Sequence, residues 1–261
     1  VVEHLAEHYR VALLNSKNSW RILGQESYAY EVAQWFNWDL AGKVLFVPVG
    51  NAGNITAVMS GLLKMRRLGI ISDLPRLFGV QSEHADPVWR YYSKPKAERV
   101  YNPVTVRPSV AQAAMIGNPV SFPRVKALVA YEAAGGEFGV VQVTEQAIMD
   151  ATILANRHGH IVCTQGGECL AGLLKAREEG RVAAGEKAVL DSTAHALKFA
   201  GFQNMYFTDT FPPEYGVAPD ASLANRPSLV VDAAEKTRLS AEEFTRAAAK
   251  AVAERLELAG K

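Results

Sequence analysis

Cysteine, excess charge and long apolar runs are all scarce in this chain. Only Cys163 and Cys169 are cysteines among its 261 residues. Their spacing is not that of a zinc site, so they read as two buried thiols in a reducing, cytoplasmic setting. Lys+Arg number 28 against 27 Asp+Glu, a net charge of +1. That balance supplies no basic stripe for nucleic acid and no acidic solvating tail. No apolar run is long enough to cross a bilayer, and no stretch reads as a signal peptide. Nucleic-acid and membrane partners are therefore not expected. Internal repeats and low-complexity segments are absent too.

At 49% hydrophobic and 21% charged, the chain can bury a substantial core as one large domain or two modest ones. Its organising stretch is residues 44–69. Residues 44–49 form a short apolar run that predicts a buried strand. Ile55, Val58, Met59, Leu62 and Leu63 then recur at helical spacing, with Gly69 as a C-terminal stop. Gly50, Asn51, Ala52, Gly53 and Asn54 link the two. Two glycines permit a tight turn and close approach of the backbone to a ligand. The free N–H groups of the following helix suit a phosphate. No Gly-Lys-Ser/Thr follows, so this is not a Walker loop, and neither the third glycine nor the acidic ribose partner of a dinucleotide site is in place.

Ahead of this stretch, residues 1–14 have helical apolar spacing. The polar cluster 15–21 ends that helix, and Ser19 is expected to cap the next, running to about Trp35. Its amides, hydroxyls and arginine suit a phosphorylated or carboxylated ligand. Beyond Gly69 the expected strands are 76–81, 139–143, 160–163 and 187–190. The expected helices are a short one opened by Asp86-Pro87, then 122–134, Thr144 to about Arg157, and 168–179 after a loop at 164–167. Glu168, at the start of its helix, is expected to partner the dipole. Ser240 and Glu243 form a capping box before an alanine-rich final helix. Strands alternating with helices imply an α/β fold with a mainly parallel sheet and helices on both faces. Ligands in such sheets sit beyond the carboxyl ends of the strands, where the loops after Val49, Gln81, Cys163 and Leu190 would converge.

Several of these segments, taken in order, resemble successive motifs of the threonine synthase family. They are Asn15-Ser16-x-Asn18 with Arg21 and Gln25, the loop from Gly50 to Asn54, Arg107-Pro108-Ser109, Gly117-Asn118-Pro119 with Arg124, and Thr193-Ala194-His195-Ala196-Leu197-Lys198. The similarity runs over residues 13–227. It implies fold type II of the pyridoxal-phosphate enzymes, like the tryptophan synthase β subunit. It also implies pyridoxal 5′-phosphate as cofactor, O-phospho-L-homoserine and water as substrates, and L-threonine and phosphate as products. A related enzyme of the same fold, such as a cysteate synthase, and a non-catalytic pyridoxal-phosphate or phosphate-binding domain remain as alternatives.

By this resemblance Gly50, Asn51, Ala52, Gly53 and Asn54 cradle the cofactor phosphate. Thr193 meets the pyridine nitrogen, with Thr164 as runner-up. A hydroxyl there, rather than a carboxylate, leaves the ring nearer neutral and the electron sink milder. Asn15, Ser16, Asn18, Arg21 and Ser109 are candidates for the substrate phosphate, with His195 and Lys198 as secondary ones. In the family, the Schiff-base lysine lies upstream of the Asn15-Ser16 motif on a smaller N-terminal domain. Lys17, Lys43 and Lys64 sit in no matching motif. Val1 opens inside an amphipathic segment without an initiator methionine. The chain is thus expected to be the large C-terminal part, residues 1–261, of a two-domain enzyme, inactive alone without that lysine. A domain lacking its neighbour exposes apolar surface, and a homodimer is the expected association.

Overall fold

Val44, Leu45, Phe46 and Val47 are solvent-free, as a strand covered on both faces requires. The computed structural model describes residues 1–16, 18–125, 128–223 and 229–258. Its helices and strands run α1 (Val2–His8), α2 (Ser19–Gln25), α3 (Ser27–Trp35), β1 (Lys43–Pro48), α4 (Gly53–Arg67), β2 (Arg76–Ser82) and α5 (Pro87–Tyr92). They continue with α6 (Phe122–Val125), α7 (Leu128–Ala133), β3 (Phe138–Val143), α8 (Glu145–Arg157), α9 (Thr164–Glu178), β4 (Lys187–Leu190), α10 (Ala200–Thr208), α11 (Ala233–Arg238) and α12 (Ala241–Arg255). By contact the chain divides into two units, Val1–Ala224 and Asn225–Lys261.

In the first unit, the four strands form one sheet in the order β3-β2-β1-β4. Every pairing is parallel. Alternate residues serve opposite faces. Leu45, Val47, Leu77 and Val140 join α3 and α4 in one core cluster. Val44, Phe46, Phe78, Val80, Val141 and Val143 join α8, α9 and α10 in the other. Fully burying each such side chain is worth about 1.5–3 kcal/mol, so both faces are held independently. The fold is therefore α/β, a parallel sheet flanked by helices. β1 sits between β2, which follows it in the chain, and β4, which arrives last. The boundary between β1 and β4 is a topological switch point, where a crevice opens beyond the strand ends.

Six expectations change. The helix expected over residues 1–14 ends at His8. Asn18, not Ser19, caps α2: its side chain accepts from the Trp20 amide at 2.9 Å. The expected single helix to Trp35 is also broken at Glu26. Residues 160–163 form no strand and keep only an antiparallel bridge between Val162 and His195. Thr164, Gln165, Gly166 and Gly167 are the first turn of α9 rather than a loop. The glycine here serves close packing rather than a turn: a Cβ at Gly166 would lie 2.8 Å from the Val162 Cβ and 3.0 Å from the Ser192 carbonyl oxygen. Glu168 therefore sits in the second turn and is wholly buried, so it does not serve as the exposed dipole partner.

The helix expected over 122–134 is described as α6 and α7, with 126 and 127 outside the described residues. Lys17 and the end of the expected irregular tail, 224–227, lie outside them as well. In the second unit, Asp232 caps α11. Ser240 and Glu243 make the expected capping box at α12.

Candidate active site

A cleft of about 580 Å³ opens at the switch point. All of Gly50, Asn51, Ala52, Gly53 and Asn54 line it. This loop is tied down through its carbonyls. Asn51 O accepts from the Ser121 amide at 3.1 Å. Ala52 O accepts from the Thr56 amide at 3.2 Å and from the Thr56 hydroxyl at 2.6 Å. None of the five amides from Gly50 to Asn54 donates to an acceptor among the described residues. Ala52 stands at the N-cap of α4 without a side-chain cap bond, so the helix presents its orphan N–H groups and its positive end to the cleft.

The conformational burden falls on an alanine. Ala52 has φ 61°, in the left-handed region, whereas neither Gly50 nor Gly53 has a positive φ. Gly50 serves close approach instead. A Cβ there would lie 3.0 Å from Ala114 Cα and 3.2 Å from the Ala113 carbonyl oxygen. At Gly53 the corresponding contacts are 3.7 Å to Ser16 Cβ, 3.8 Å to Ile22 and 3.9 Å to the Ser121 hydroxyl. Ser16 is therefore a neighbour of the cradle. The Ala113–Ala114 turn is itself fixed. Gln165, with its amide oriented to satisfy both groups, accepts from the Gln112 and Ala113 amides at 3.2 and 3.1 Å.

The loop after β4 forms the facing wall, with Asp191, Thr193 and Ala194. Thr193 has φ 51°, an uncommon state for a β-branched residue. Such strain persists only where surroundings impose it. Its amide donates to Asp191 Oδ1 at 3.1 Å. Thr193 is an exposed residue, and its hydroxyl lies 3.3 Å from the Sγ of buried Cys163. Asp191 also accepts from Asn54 Nδ2 at 2.5 Å, a contact across 137 positions of sequence. Burial pushes the Asp191 carboxyl up, and the Asn54 and Thr193 donors oppose that rise.

Ser16, Arg21, Gln25 and Tyr28 complete the cleft, with Lys198 at its edge. The Tyr28 hydroxyl is buried, with no hydrogen-bond partner among the described residues. Burial drives its ionisation up, followed by the Asp191 and Cys169 charges.

The structure thus brings together the loop from Gly50 to Asn54, Thr193, Ser16, Arg21 and the secondary candidate Lys198. It does not bring the other candidates to the cleft wall. Asn18 spends both ends of its amide on its own turn, accepting from Trp20 and donating to Leu13 O at 2.9 Å. Asn15 O accepts from the Asn18 amide in the same turn. Ser109 is buried, its hydroxyl accepting from the Ala111 amide at 3.1 Å. Thr164 is buried in α9. His195 caps the following turn, its Nδ1 accepting from the Leu197 amide at 3.1 Å. The loop after Gln81 is also diverted. Gln81 donates to Val49 O and accepts from the Val88 and Trp89 amides, so it staples α5 to the sheet.

Sequence reasoning missed Asp191 and Tyr28. An acid directly after an apolar strand end was the available signal for Asp191. It also missed Glu168 as a buried acid. Among the described residues neither Glu168 oxygen has a partner within hydrogen-bond geometry; burial, then the Glu145 charge, raises the carboxyl well above its usual range, against a smaller lowering by the nearby Ser82 backbone. Neighbouring Glu145 is satisfied by the Ser82 hydroxyl and, at 2.6 Å, by the Val110 amide. Among the described residues, no helix is long and apolar enough to cross a membrane and no metal-binding cluster occurs.

Comparison with known proteins gives the family. Residues 1–193 match the family model described as "Pyridoxal-phosphate dependent enzyme". The chain is 37% identical to "Threonine synthase 2, chloroplastic" of Arabidopsis thaliana over 199 residues, 76% of this chain and 37% of that protein. It is also 37% identical to the threonine synthase of Methanocaldococcus jannaschii over 201 residues, 76% of this chain and 47% of that one. The chain therefore spans less than half the length of these relatives. Among solved structures, threonine synthase from Escherichia coli aligns with a TM-score of 0.56 at 18% identity, covering 77% of this chain and 44% of that one. The pyridoxal-phosphate-bound threonine synthase from Brucella melitensis aligns at 0.53 and 19%, covering 76% and 46%. These structural likenesses concern the fold, which is that of the fold type II enzymes. This chain belongs to the family of pyridoxal-phosphate-dependent enzymes.

Proposed function

We propose that the complete protein is a threonine synthase, converting O-phospho-L-homoserine and water into L-threonine and phosphate. This chain carries its cofactor cradle and its substrate anion site. The observation that carries the reading is the set of five unspent amides at the head of α4, in a chain of this family.

The residues present fit pyridoxal 5′-phosphate. A phosphate dianion needs several converging donors, and the loop from Gly50 to Asn54 offers amides plus a helix N-terminus. The ring nitrogen needs a polar partner, and Thr193, a hydroxyl residue, lines the facing wall. The Tyr28 hydroxyl is a buried polar atom that the protein leaves unsatisfied in the same cleft, which is costly unless a ligand meets it.

When bound, the cofactor supplies the electron sink for proton removal and elimination. The chain's own residues bind and orient. The cradle amides hold the phosphate end. Thr193 is assigned to the ring nitrogen, where an uncharged hydroxyl moderates the sink. Ser16 and Arg21 are assigned to the substrate phosphate, since a guanidinium pairs with phosphate oxygens in bidentate fashion. Asn18 supports them by capping α2, which carries Arg21. Ser109 supports the turn that abuts Gly50. Asn15 belongs to the turn that presents Ser16.

The test is an assay of the complete protein with O-phosphohomoserine and, separately, O-phosphoserine, following threonine and inorganic phosphate. Threonine formation from phosphohomoserine is expected. Turnover of phosphoserine with none of phosphohomoserine would replace this reading with that of a related enzyme.

A further inference from the structure

Asp191 bonds to both of the cleft's strained turns. Asp191 takes the Thr193 amide on Oδ1 at 3.1 Å and the Asn54 side-chain amide on Oδ2 at 2.5 Å. Its own amide donates to Phe46 O at 3.0 Å, so it is seated on β1 as well. One donor, Thr193, is itself left-handed, and the other, Asn54, stands two positions after left-handed Ala52. The carboxylate is buried at 7% exposure, so solvent does not compete strongly for it.

We propose that Asp191 is a positioning residue that clips the Thr193 turn to the first turn of α4, setting the span between the candidate ring-nitrogen hydroxyl and the phosphate cradle. The clip rests on the cofactor assignment made above. It adds that the cleft selects a ligand by length, with a phosphate at one end and a hydrogen-bonding heterocycle at the other. Phosphate alone uses only the α4 end and does not sense the span. The full cofactor uses both ends and does.

Two variants and two probes test this. In Asp191→Ala both bonds are lost. In Asp191→Asn the oxygen can still accept from Thr193, and a flipped Asn54 amide can accept from the new NH2, restoring both bonds. Calorimetric titration of the chain with inorganic phosphate is expected to give affinities within about twofold for wild type and both variants. Titration with pyridoxal 5′-phosphate is expected to weaken about tenfold or more in Asp191→Ala, with a shifted absorbance band, and to recover in Asp191→Asn. Without ligand, hydrogen exchange at the Thr193 amide is expected to accelerate in Asp191→Ala alone. Equal loss for both probes, or no loss for either, overturns the ruler. Unchanged Thr193 exchange overturns the clip itself. A wild-type chain that binds phosphate but not pyridoxal phosphate overturns the functional reading, an outcome distinct from failure of the clip, which the exchange measurement reads by itself.

Discussion

A methyl group added at Gly50 and one added at Gly53 should behave oppositely, although the two glycines stand three residues apart in one loop. At Gly50 the new Cβ would sit 3.0 Å from Ala114 Cα and 3.2 Å from the Ala113 carbonyl oxygen. Both are backbone atoms, in a turn that Gln165 holds from behind, so they cannot rotate away. Relief requires the cradle or the turn to shift by a few tenths of an ångström. Overpacking of this kind costs about 1–3 kcal/mol. Gly53 is the first residue of α4, its φ is not positive, and its nearest contacts are at least 3.7 Å away. Alanine there restricts the unfolded chain and adds about 0.4–1 kcal/mol of stability. Thermal melts of Gly50→Ala and Gly53→Ala report the two signs. At about 2–4 °C per kcal/mol for a domain of this size, the melting points should separate by roughly 3–16 °C. Phosphate affinity should fall with Gly50→Ala, because the amides move, and stay near wild type with Gly53→Ala, whose methyl faces Ser16. Equal melting points, or a less stable Gly53→Ala, would refute the packing argument.

Glu168→Gln should change how stability depends on pH. The folded carboxyl is raised well above its ordinary value of 4.5, so the native state holds its proton while the unfolded state releases it. The wild type is then fully stabilised below that ordinary value and loses stability as pH rises toward the folded value. Urea melts at about pH 5 and about pH 8 should show Glu168→Gln gaining on the wild type at the higher pH; a constant difference would place a proton-linked group elsewhere. Asn18→Ala removes the α2 cap and should cost about 1 kcal/mol in denaturant melts, while Ser19→Ala should cost little. Arg21→Ala in the complete protein should raise the KM for phosphohomoserine more than it changes pyridoxal-phosphate affinity. The reverse split would assign Arg21 to the cofactor.

The parts of the fold that local chemistry decides were legible. Residues 44–49 are apolar without interruption because β1 is covered on both faces, and Thr144, Ser240 and Glu243 cap where their hydroxyls and carboxylate predict. The parts that tertiary contacts decide were not. Gly166 and Gly167 look like loop residues, yet they lie in α9, and they are glycines because larger side chains would strike Ser192 and Thr152. Val162 lies in an apolar run that looks like a strand but finds only His195 to pair with. Within the site, the candidate cradle from Gly50 to Asn54 is legible as two glycines before a helix. The φ of Ala52 is not, since nothing local singles out an alanine for the left-handed region. Asp191 escaped notice because its partner Asn54 is 137 residues away.

The measurement that bears most directly on the cradle is an amide-resolved NMR titration of this chain with inorganic phosphate. The amides of Gly50, Asn51, Ala52, Gly53 and Asn54 should shift together, along one binding curve, and gain protection from exchange. Shifts scattered over surface lysines and arginines, with these five signals unmoved, would contradict a phosphate nest at the head of α4.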